Sequence, residues 1–212
     1  MFRVIGPHAR RQNRDLLDAM FDLREAVVSA APPGIYAHAF PEAGRDRFDT
    51  DSSVYVLAGE GRRVEACVRL NPTTAPHMLG EFLAPLCDVP SGPEIWECSR
   101  LVIDTVSVPD TLAQFRLRGR LGLGITAWCL DEKIRHLIWL IRHESFPQVA
   151  ETFPTRPLCD PIRLAEGGGW VPAVSEVGLG ALDHFINRLR IPPETVAGLI
   201  AAGLDQTGGC IA

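Results

Sequence analysis

The chain has 212 residues, 46% of them hydrophobic and 22% charged, which is ordinary for one globular domain covering 1–212 with its own core. Its formal net charge of −5 argues against a general nucleic-acid-binding protein, because tracking phosphates needs a basic excess. It shows no signal peptide and no apolar run long enough to span a membrane, so we expect a cytoplasmic protein without a membrane partner. Six scattered cysteines without a Cys-x-x-Cys pair predict buried thiols, and neither disulfides nor a metal site.

Hydrophobic periodicity predicts the elements in chain order. Residues 12–29 form an amphipathic helix in this prediction, and 54–58 and 63–70 form a hairpin joined by a glycine-containing turn. The remaining predicted elements are a short helix at 78–86, a central strand at 95–104, a long helix at 109–133, and strands at 137–142 and 170–177, followed by a helix at 192–204. This order predicts an α/β domain in which helices cover both faces of a mixed sheet.

Six charged residues lie in or beside elements that look buried. Each alone is typical of a structural ion pair, but as a set they are costly unless they bind one another or a ligand. They are Arg24, Asp46, Asp49, Arg69, Glu97 and Arg100.

The central strand carries Glu97, Ser99 and Arg100. Alternation puts Glu97 and Ser99 on one face and Arg100 on the other. The acid and the base can share a face only if a β-bulge adds one residue, and bulges often lie beside active sites. The alternative is an acid and a base on the two sides of an edge strand, and both interpretations stay open.

The order and spacing of several short motifs resemble the acyl-homoserine-lactone synthases, the autoinducer synthases of quorum sensing. The motifs are Leu23-Arg24, Asp46-Arg47-Phe48-Asp49, Val68-Arg69-Leu70, the loop 72–79, Phe82 and Trp96-Glu97-Cys98-Ser99-Arg100. They cover about the first two-thirds of the chain. The resemblance implies a GNAT-like three-layer sandwich with a mixed, mostly antiparallel sheet, whose cleft opens where two central strands splay.

The resemblance also implies a reaction. The α-amine of S-adenosylmethionine attacks an acyl thioester on acyl carrier protein or coenzyme A, and the methionine carboxylate then closes a lactone and expels methylthioadenosine. No cofactor is implied, since S-adenosylmethionine is a substrate. Glu97 would be the general base, with Arg100 beside it as the second catalytic residue. The implied substrate-binding residues are Arg24, Val28, Tyr36, Asp46, Asp49, Arg69, Phe82, Ser99 and Trp139.

Three of these positions depart from the family pattern. Val28 stands where the family usually has phenylalanine, and Tyr36 lies two residues beyond the place of a usual tryptophan. Trp139 replaces the threonine of enzymes that make 3-oxo signals, so its indole either fills the acyl pocket or packs in the core.

Residues 116–124 match only part of a glycine-rich phosphate-binding turn. The arginines at 116, 118 and 120 form a basic patch that would suit a carrier protein or coenzyme A phosphates.

Two other functions remain open. One is an N-acyltransferase of the GNAT type that acts on another amine with acyl-CoA, and the other is a non-catalytic module that binds acyl thioesters. A requirement for S-adenosylmethionine and release of methylthioadenosine would separate both from a lactone synthase.

Overall fold

The computed structural model describes residues 1–30, 44–163 and 168–204, apart from the side chains of Val28 and Ala30. The strands are β1 Phe2–Ile5, β2 Val54–Ala58, β3 Ala66–Pro72, β4 Ile95–Ile103, β5 His136–Arg142, β6 Thr155–Pro157, β7 Ile162–Arg163 and β8 Gly169–Glu176. The α-helices are α1 Arg14–Ala30, α2 Met78–Leu83, α3 Thr111–Asp131, α4 Phe146–Thr152, α5 Leu179–Leu189 and α6 Pro193–Leu204. None of the described helices is long and apolar enough to cross a membrane.

The strands form one sheet with the order β1-β2-β3-β4-β5-β8-β6, and β7 also pairs with β8. The β4–β5 pair is parallel and the other described pairs are antiparallel, so the sheet is mixed and mostly antiparallel as expected. The periodicity located the longer elements to within a few residues. It missed β1, β6 and β7, which are too short to show a period, and also missed α4 and α5. Helix α5 begins directly after Gly178 and contains Gly180 in its first turn, and glycine is a poor helix former.

Helices cover both faces of the sheet, which confirms the three layers. On one face, α3 and α5 bury the largest core around Leu121, Trp128 and Phe185. On the other face, α1 packs Met20 against the β2–β3 hairpin, and α2 packs Leu79 against Ile138 of β5. The charged residues of interest lie on this second face.

Two sequence-based expectations need correction. Residues 116–124 lie inside α3 and form no phosphate-binding turn, because their glycines are packing positions: a Cβ on Gly122 would come within 2.1 Å of the Phe185 ring. The cysteines are also not uniformly buried. Cys67, Cys98 and Cys129 are buried, whereas Cys87 and Cys159 are half-exposed near the surface. Cys210 lies outside the described residues.

Strands β4 and β5 diverge after three paired residues. The parallel register runs from Ile95 opposite His136 to Glu97 opposite Ile138 and goes no further. The sheet therefore opens between Cys98 and Trp139, which confirms the splayed central strands implied by the family resemblance.

The bulge expected in β4 is present. Ser99 pairs with Arg69 and Val102 pairs with Cys67, so Arg100 and Leu101 together face the single residue Val68. Arg100 has a φ of 58°, in the left-handed region that non-glycine residues rarely adopt. The extra residue turns the Arg100 side chain towards the face that carries Glu97 and Arg69.

Candidate active site

Two aspartates form the centre of the charged cluster and also shape their own loop. Asp49 Oδ2 accepts a hydrogen bond from the Asp46 amide at 2.8 Å, and Asp46 Oδ1 accepts one from the Phe48 amide at 2.8 Å. Such local side-chain bonds stabilise turns and leave the remaining carboxylate lone pairs facing outward from the loop. Both aspartates are thereby held in one orientation above the sheet.

Three arginines from three different elements converge on these carboxylates. Arg24 of α1 donates to Asp49 at 2.8 Å, and Arg69 of β3 donates to Asp46 at 2.6 Å and lies 3.2 Å from Asp49. Arg100, on the β4 bulge, donates its Nε–H to Asp46 at 2.7 Å. Arg24 and Arg69 are fully buried, so loss of either carboxylate would leave a buried charge uncompensated.

The electrostatics keep Asp49 ionised. Burial by itself would raise the pKa of Asp49, but the charges of Arg24 and Arg69 outweigh it and hold that pKa below its ordinary value. Tyr55 of β2 donates its hydroxyl to Asp49 at 3.0 Å, and burial together with the Asp49 charge raises the pKa of Tyr55 to about 12. Tyr55 is therefore a neutral donor at physiological pH. Nothing in its apolar strand sequence marked it as part of the site.

Glu97 is fully buried, and only one of its two carboxylate oxygens accepts a hydrogen bond from the described residues. Its Oε2 accepts a hydrogen bond of 2.6 Å from the Leu79 amide, one of the free N–H groups in the first turn of α2. Its Oε1 lies 3.9 Å from the Arg69 guanidinium and has no hydrogen-bond partner among the described residues.

Other buried polar atoms on the described part of the chain also lack hydrogen-bond partners. Asn71 stands opposite Glu97 in the β3–β4 ladder, and its Oδ1 has no partner in the described parts of the chain. The same holds for Nε and Nη2 of Arg24 and Nε2 of His77. Buried polar atoms normally find partners, so the free atoms of Arg24 in the ion cluster and of Asn71 opposite Glu97 indicate a polar ligand. Neither Asn71 nor His77 is among the site residues predicted from the sequence.

The other predicted site residues divide into three groups. Ser99 joins the cluster, because its Oγ accepts from Arg69 at 3.3 Å. Phe82 does not join it, since it lies on the outer side of α2 and is 58% exposed. Tyr36 and the side chain of Val28 lie outside the described residues.

Trp139 occupies the opposite face of the sheet, at the first β5 position beyond the paired residues. Its indole Nε1–H donates to Ser175 at 2.8 Å, and its ring packs edge-on against Phe153 at 5.4 Å between ring centres. Trp139 shares this face with Leu137 and Ile141, as alternation along a strand requires. Trp139 therefore flanks the opening between β4 and β5 from the side of α3.

Cys98 is next to Glu97 in sequence but points to the other face, where it is part of the core. Burial, followed by the nearby Cys129 and Glu97, raises the pKa of the Cys98 thiol well above its ordinary value. A thiol held protonated is a poor nucleophile, which agrees with the prediction of a buried thiol at this position.

Comparison with known proteins identifies relatives of this arrangement. The sequence matches the family described as Autoinducer synthase over residues 8–145. It is 33% identical over 200 residues to the isovaleryl-homoserine lactone synthase of Bradyrhizobium diazoefficiens, covering 91% of this chain and 87% of that protein. Over 74 residues it is 39% identical to an acyl-homoserine-lactone synthase of Acinetobacter nosocomialis, which covers 32% of this chain and 40% of that protein.

Solved structures agree with the sequence matches. The CoA-dependent acyl-homoserine lactone synthase BjaI, solved with SAM and isopentyl-CoA, superposes with a TM-score of 0.78 at 29% identity over 91% of this chain and 90% of that one. A putative N-acetyltransferase from Lactobacillus plantarum has a TM-score of 0.53 at 12% identity over 84% of this chain and 99% of that one. That second likeness concerns the fold alone and confirms the GNAT-like architecture. With a family match over more than half of its length and a relative one-third identical over nine-tenths of it, the chain belongs to the autoinducer synthase family and is an acyl-homoserine-lactone synthase.

Proposed function

We propose that this enzyme acylates the α-amine of S-adenosylmethionine with a coenzyme A thioester and then releases the acyl-homoserine lactone and methylthioadenosine. The observation that carries the proposal is the buried ion cluster around Asp46 and Asp49, which adjoins the unpartnered Glu97 oxygen at the point where β4 and β5 separate. The two reactants of such a reaction occur together in the cytoplasm, where we expect the enzyme to act.

In the first step, Glu97 would accept a proton from the attacking amine, directly or through one water. A free α-amino group has a pKa of about 7.7–8.0, so about a tenth of it or more is already neutral at pH 7. A positioned carboxylate is therefore a sufficient base. The amine nitrogen bonds to the thioester carbonyl carbon, and the carbon–sulfur bond of the thioester breaks. Coenzyme A leaves as the thiol once it has taken up the proton.

In the second step the methionine carboxylate attacks its own γ-carbon. The bond from that carbon to the sulfonium sulfur breaks, and methylthioadenosine leaves as a neutral thioether. No external base is needed, because the nucleophile is already an anion. The charge on sulfur disappears as the lactone forms, so the chain needs only to hold the two ends of the substrate near each other.

The ion cluster would position the substrate rather than react with it. Asp46 and Asp49 supply negative charge that would favour the cationic sulfonium, and Arg24 and Arg69 hold these carboxylates in place through ion pairs. The unpartnered Nε and Nη2 of Arg24 would be available to a carboxylate of the substrate. Arg100 would lie beside the reacting groups, because the bulge brings it to Asp46.

The choice of donor rests on the relatives and on Trp139. The relative that is 33% identical is named for an isovaleryl product, and the solved synthase that is 29% identical is described as CoA-dependent. A large indole beside the cleft would favour a short acyl chain over a long one. We therefore propose isovaleryl-CoA or a similarly short, branched acyl-CoA as the donor.

The test is to combine the purified enzyme with S-adenosylmethionine and a ladder of acyl thioesters from C4 to C12 on coenzyme A and on acyl carrier protein. We expect lactone formation by mass spectrometry, with one methylthioadenosine released per thiol and the highest kcat/KM for a short acyl-CoA. Omission of S-adenosylmethionine should abolish thiol release. Thiol release without it, or the absence of lactone with every donor, would contradict the proposal.

A further inference from the structure

A second group of arginines lies outside the buried cluster, where α5 packs along α3. Gly119 and Gly122 of α3 let α5 approach closely, since Cβ atoms there would meet Leu189 and Phe185. This packing brings Arg188, near the end of α5, to the first turns of α3. The group is on the same side of the sheet as Trp139.

Arg188 is held in place without an acidic partner. Its guanidinium carbon lies 3.7 Å from the centre of the Phe115 ring, and its Nε is buried with no hydrogen-bond partner among the described residues. Burial, and then the charge of the nearby Arg118, lower the pKa of Arg188. Among the described carboxylates, none lies within ion-pair distance of Arg118 or Arg188, whereas Arg120 reaches Glu60 at 4.0 Å. The arginines predicted to form one basic patch therefore differ, because Arg120 has an acidic partner and Arg118 has none. The second arginine beside Arg118 is Arg188, which comes from α5.

Phe115 and Arg118 lie about one turn apart on α3, so the Arg188 guanidinium over the Phe115 ring is also near Arg118. Two such groups without an acid repel each other, and an anion bound between them would remove that repulsion. The planar donors of arginine match the oxygens of a phosphate group. The amino terminus of α3 offers no competing anion site, because the Asp110 carboxylate already accepts from the amides of Leu112 and Ala113. Phosphate recognition here would therefore depend on side chains.

We propose that Arg118 and Arg188 bind a phosphate group of the coenzyme A part of the acyl donor. The proposal rests on the proposed coenzyme A donor and deepens it by naming the residues that recognise the nucleotide. Phe115, which is 42% exposed, holds the Arg188 guanidinium flat and acts as a positioning residue.

The test compares steady-state kinetics of the wild type, Arg118→Gln and Arg188→Gln with three donors: isovaleryl-CoA, isovaleryl-dephospho-CoA and the nucleotide-free isovaleryl-N-acetylcysteamine. We expect each substitution to raise KM for isovaleryl-CoA about tenfold or more, the usual effect of losing a charge-assisted hydrogen bond. The rate with the nucleotide-free thioester and KM for S-adenosylmethionine should not change. Arg62→Gln, at an exposed arginine paired with Asp15, is the matched control and should keep wild-type kinetics.

The dephospho donor locates the phosphate. If removing the 3′-phosphate raises KM in the wild type but not further in the variants, the arginines bind the 3′-phosphate. If the substitutions raise KM equally for isovaleryl-CoA and isovaleryl-dephospho-CoA, Arg118 and Arg188 bind the diphosphate. Either result supports the proposal.

Two outcomes overturn it: an unchanged KM for isovaleryl-CoA in both variants, or an equal loss with the nucleotide-free thioester. Arg118 is exposed, so its variant should fold even if Arg188→Gln is unstable, and a thermal melt of each variant checks this. If the wild type forms lactone only from acyl carrier protein, the donor assignment is wrong but the lactone synthase function remains. If it forms no lactone from any donor, the proposed function itself fails.

Discussion

Glu97 carries the mechanistic proposal because only one of its oxygens is committed to the fold. The Leu79 amide binds Oε2, so replacement of the acid by an amide can keep that contact through the amide oxygen. We expect Glu97→Gln to lower kcat for isovaleryl-CoA by about 10²–10⁴-fold, the range for a positioned base. Its KM for S-adenosylmethionine should change little. Thiol release and methylthioadenosine, measured in parallel, are the readouts.

The control for Glu97 is Glu81→Gln on the same helix–strand region. Glu81 pairs with Arg47 near the surface and touches none of the buried charges, so its loss should leave kcat unchanged. A Glu97→Gln enzyme with wild-type turnover would remove Glu97 from the mechanism. If Glu97→Gln lost activity only because less of the enzyme was folded, as a thermal melt would show, Glu97 would be a structural carboxylate.

Asp49 links the site to pH-dependent stability. Its folded-state pKa lies below the unfolded value of about 3.9, so its contribution is fully present above pH 4 and is lost as pH falls through the folded pKa. Asp49→Asn should therefore cost about 3–5 kcal/mol at pH 7, because Arg24 loses its buried counter-charge. The difference from wild type should shrink below pH 4. Urea denaturation from pH 7 to 3 measures both effects.

Asp18→Asn provides the comparison for Asp49, since Asp18 pairs with Arg14 and Arg45 on the surface and should contribute below about 1 kcal/mol at any pH. A difference between Asp49→Asn and wild type that stayed constant down to pH 3 would show that Asp49 acts through hydrogen bonding and not through its charge.

Elements rather than single residues create the cleft, and the β4–β5 pair shows how. Parallel pairing ends at Glu97 and Ile138, so the next β5 residue on the α3 side, Trp139, lines the opening as well as the core. The two roles predict different consequences for Trp139→Ala. If the indole occupies part of the cleft, its removal should shift kcat/KM towards longer acyl-CoA chains. A thermal melt should also show some loss of stability.

The matching substitution is Trp128→Ala on α3. Trp128 is buried and packs edge-on against Trp96, where β4 and β5 are still paired, so its loss should cost about 3–5 kcal/mol without changing the order of preferred acyl chains. If Trp139→Ala behaves in the same way, with lower stability and an unchanged ranking across the acyl-CoA ladder, Trp139 is core and the pocket hypothesis is wrong.

At the scale of the whole molecule, the two ends of the described chain meet. Helix α6 lies over β1, and a Cβ on Gly203 would come within 2.1 Å of the Phe2 ring, whereas one on Gly198 of the same helix would meet nothing within 4 Å. Gly203→Ala should therefore destabilise the fold by about 1–3 kcal/mol through overpacking. Gly198→Ala should stabilise it by up to about 1 kcal/mol through helix propensity.

Thermal melts of these two variants give opposite shifts if α6 seals the β1 edge of the sheet. Equal upward shifts would mean that α6 does not dock against Phe2. Turnover of both variants at 20 °C should match the wild type, because neither glycine approaches the charged cluster or the opening between β4 and β5.

The sequence by itself determined the class of fold, the family and the identity of the charged residues. Short motifs keep their order along the chain, and alternation along β4 made a bulge necessary if Glu97 and Arg100 were to share a face. Those inferences need only neighbouring residues. Tertiary structure alone decided which charges meet: Arg24 with Asp49, Arg69 with both aspartates, and Arg100 with Asp46 across 54 residues. It also placed Tyr55 and Asn71 beside the charged cluster and Arg188 beside α3. Contacts between distant elements depend on the register and packing of a whole sheet, which no local pattern encodes.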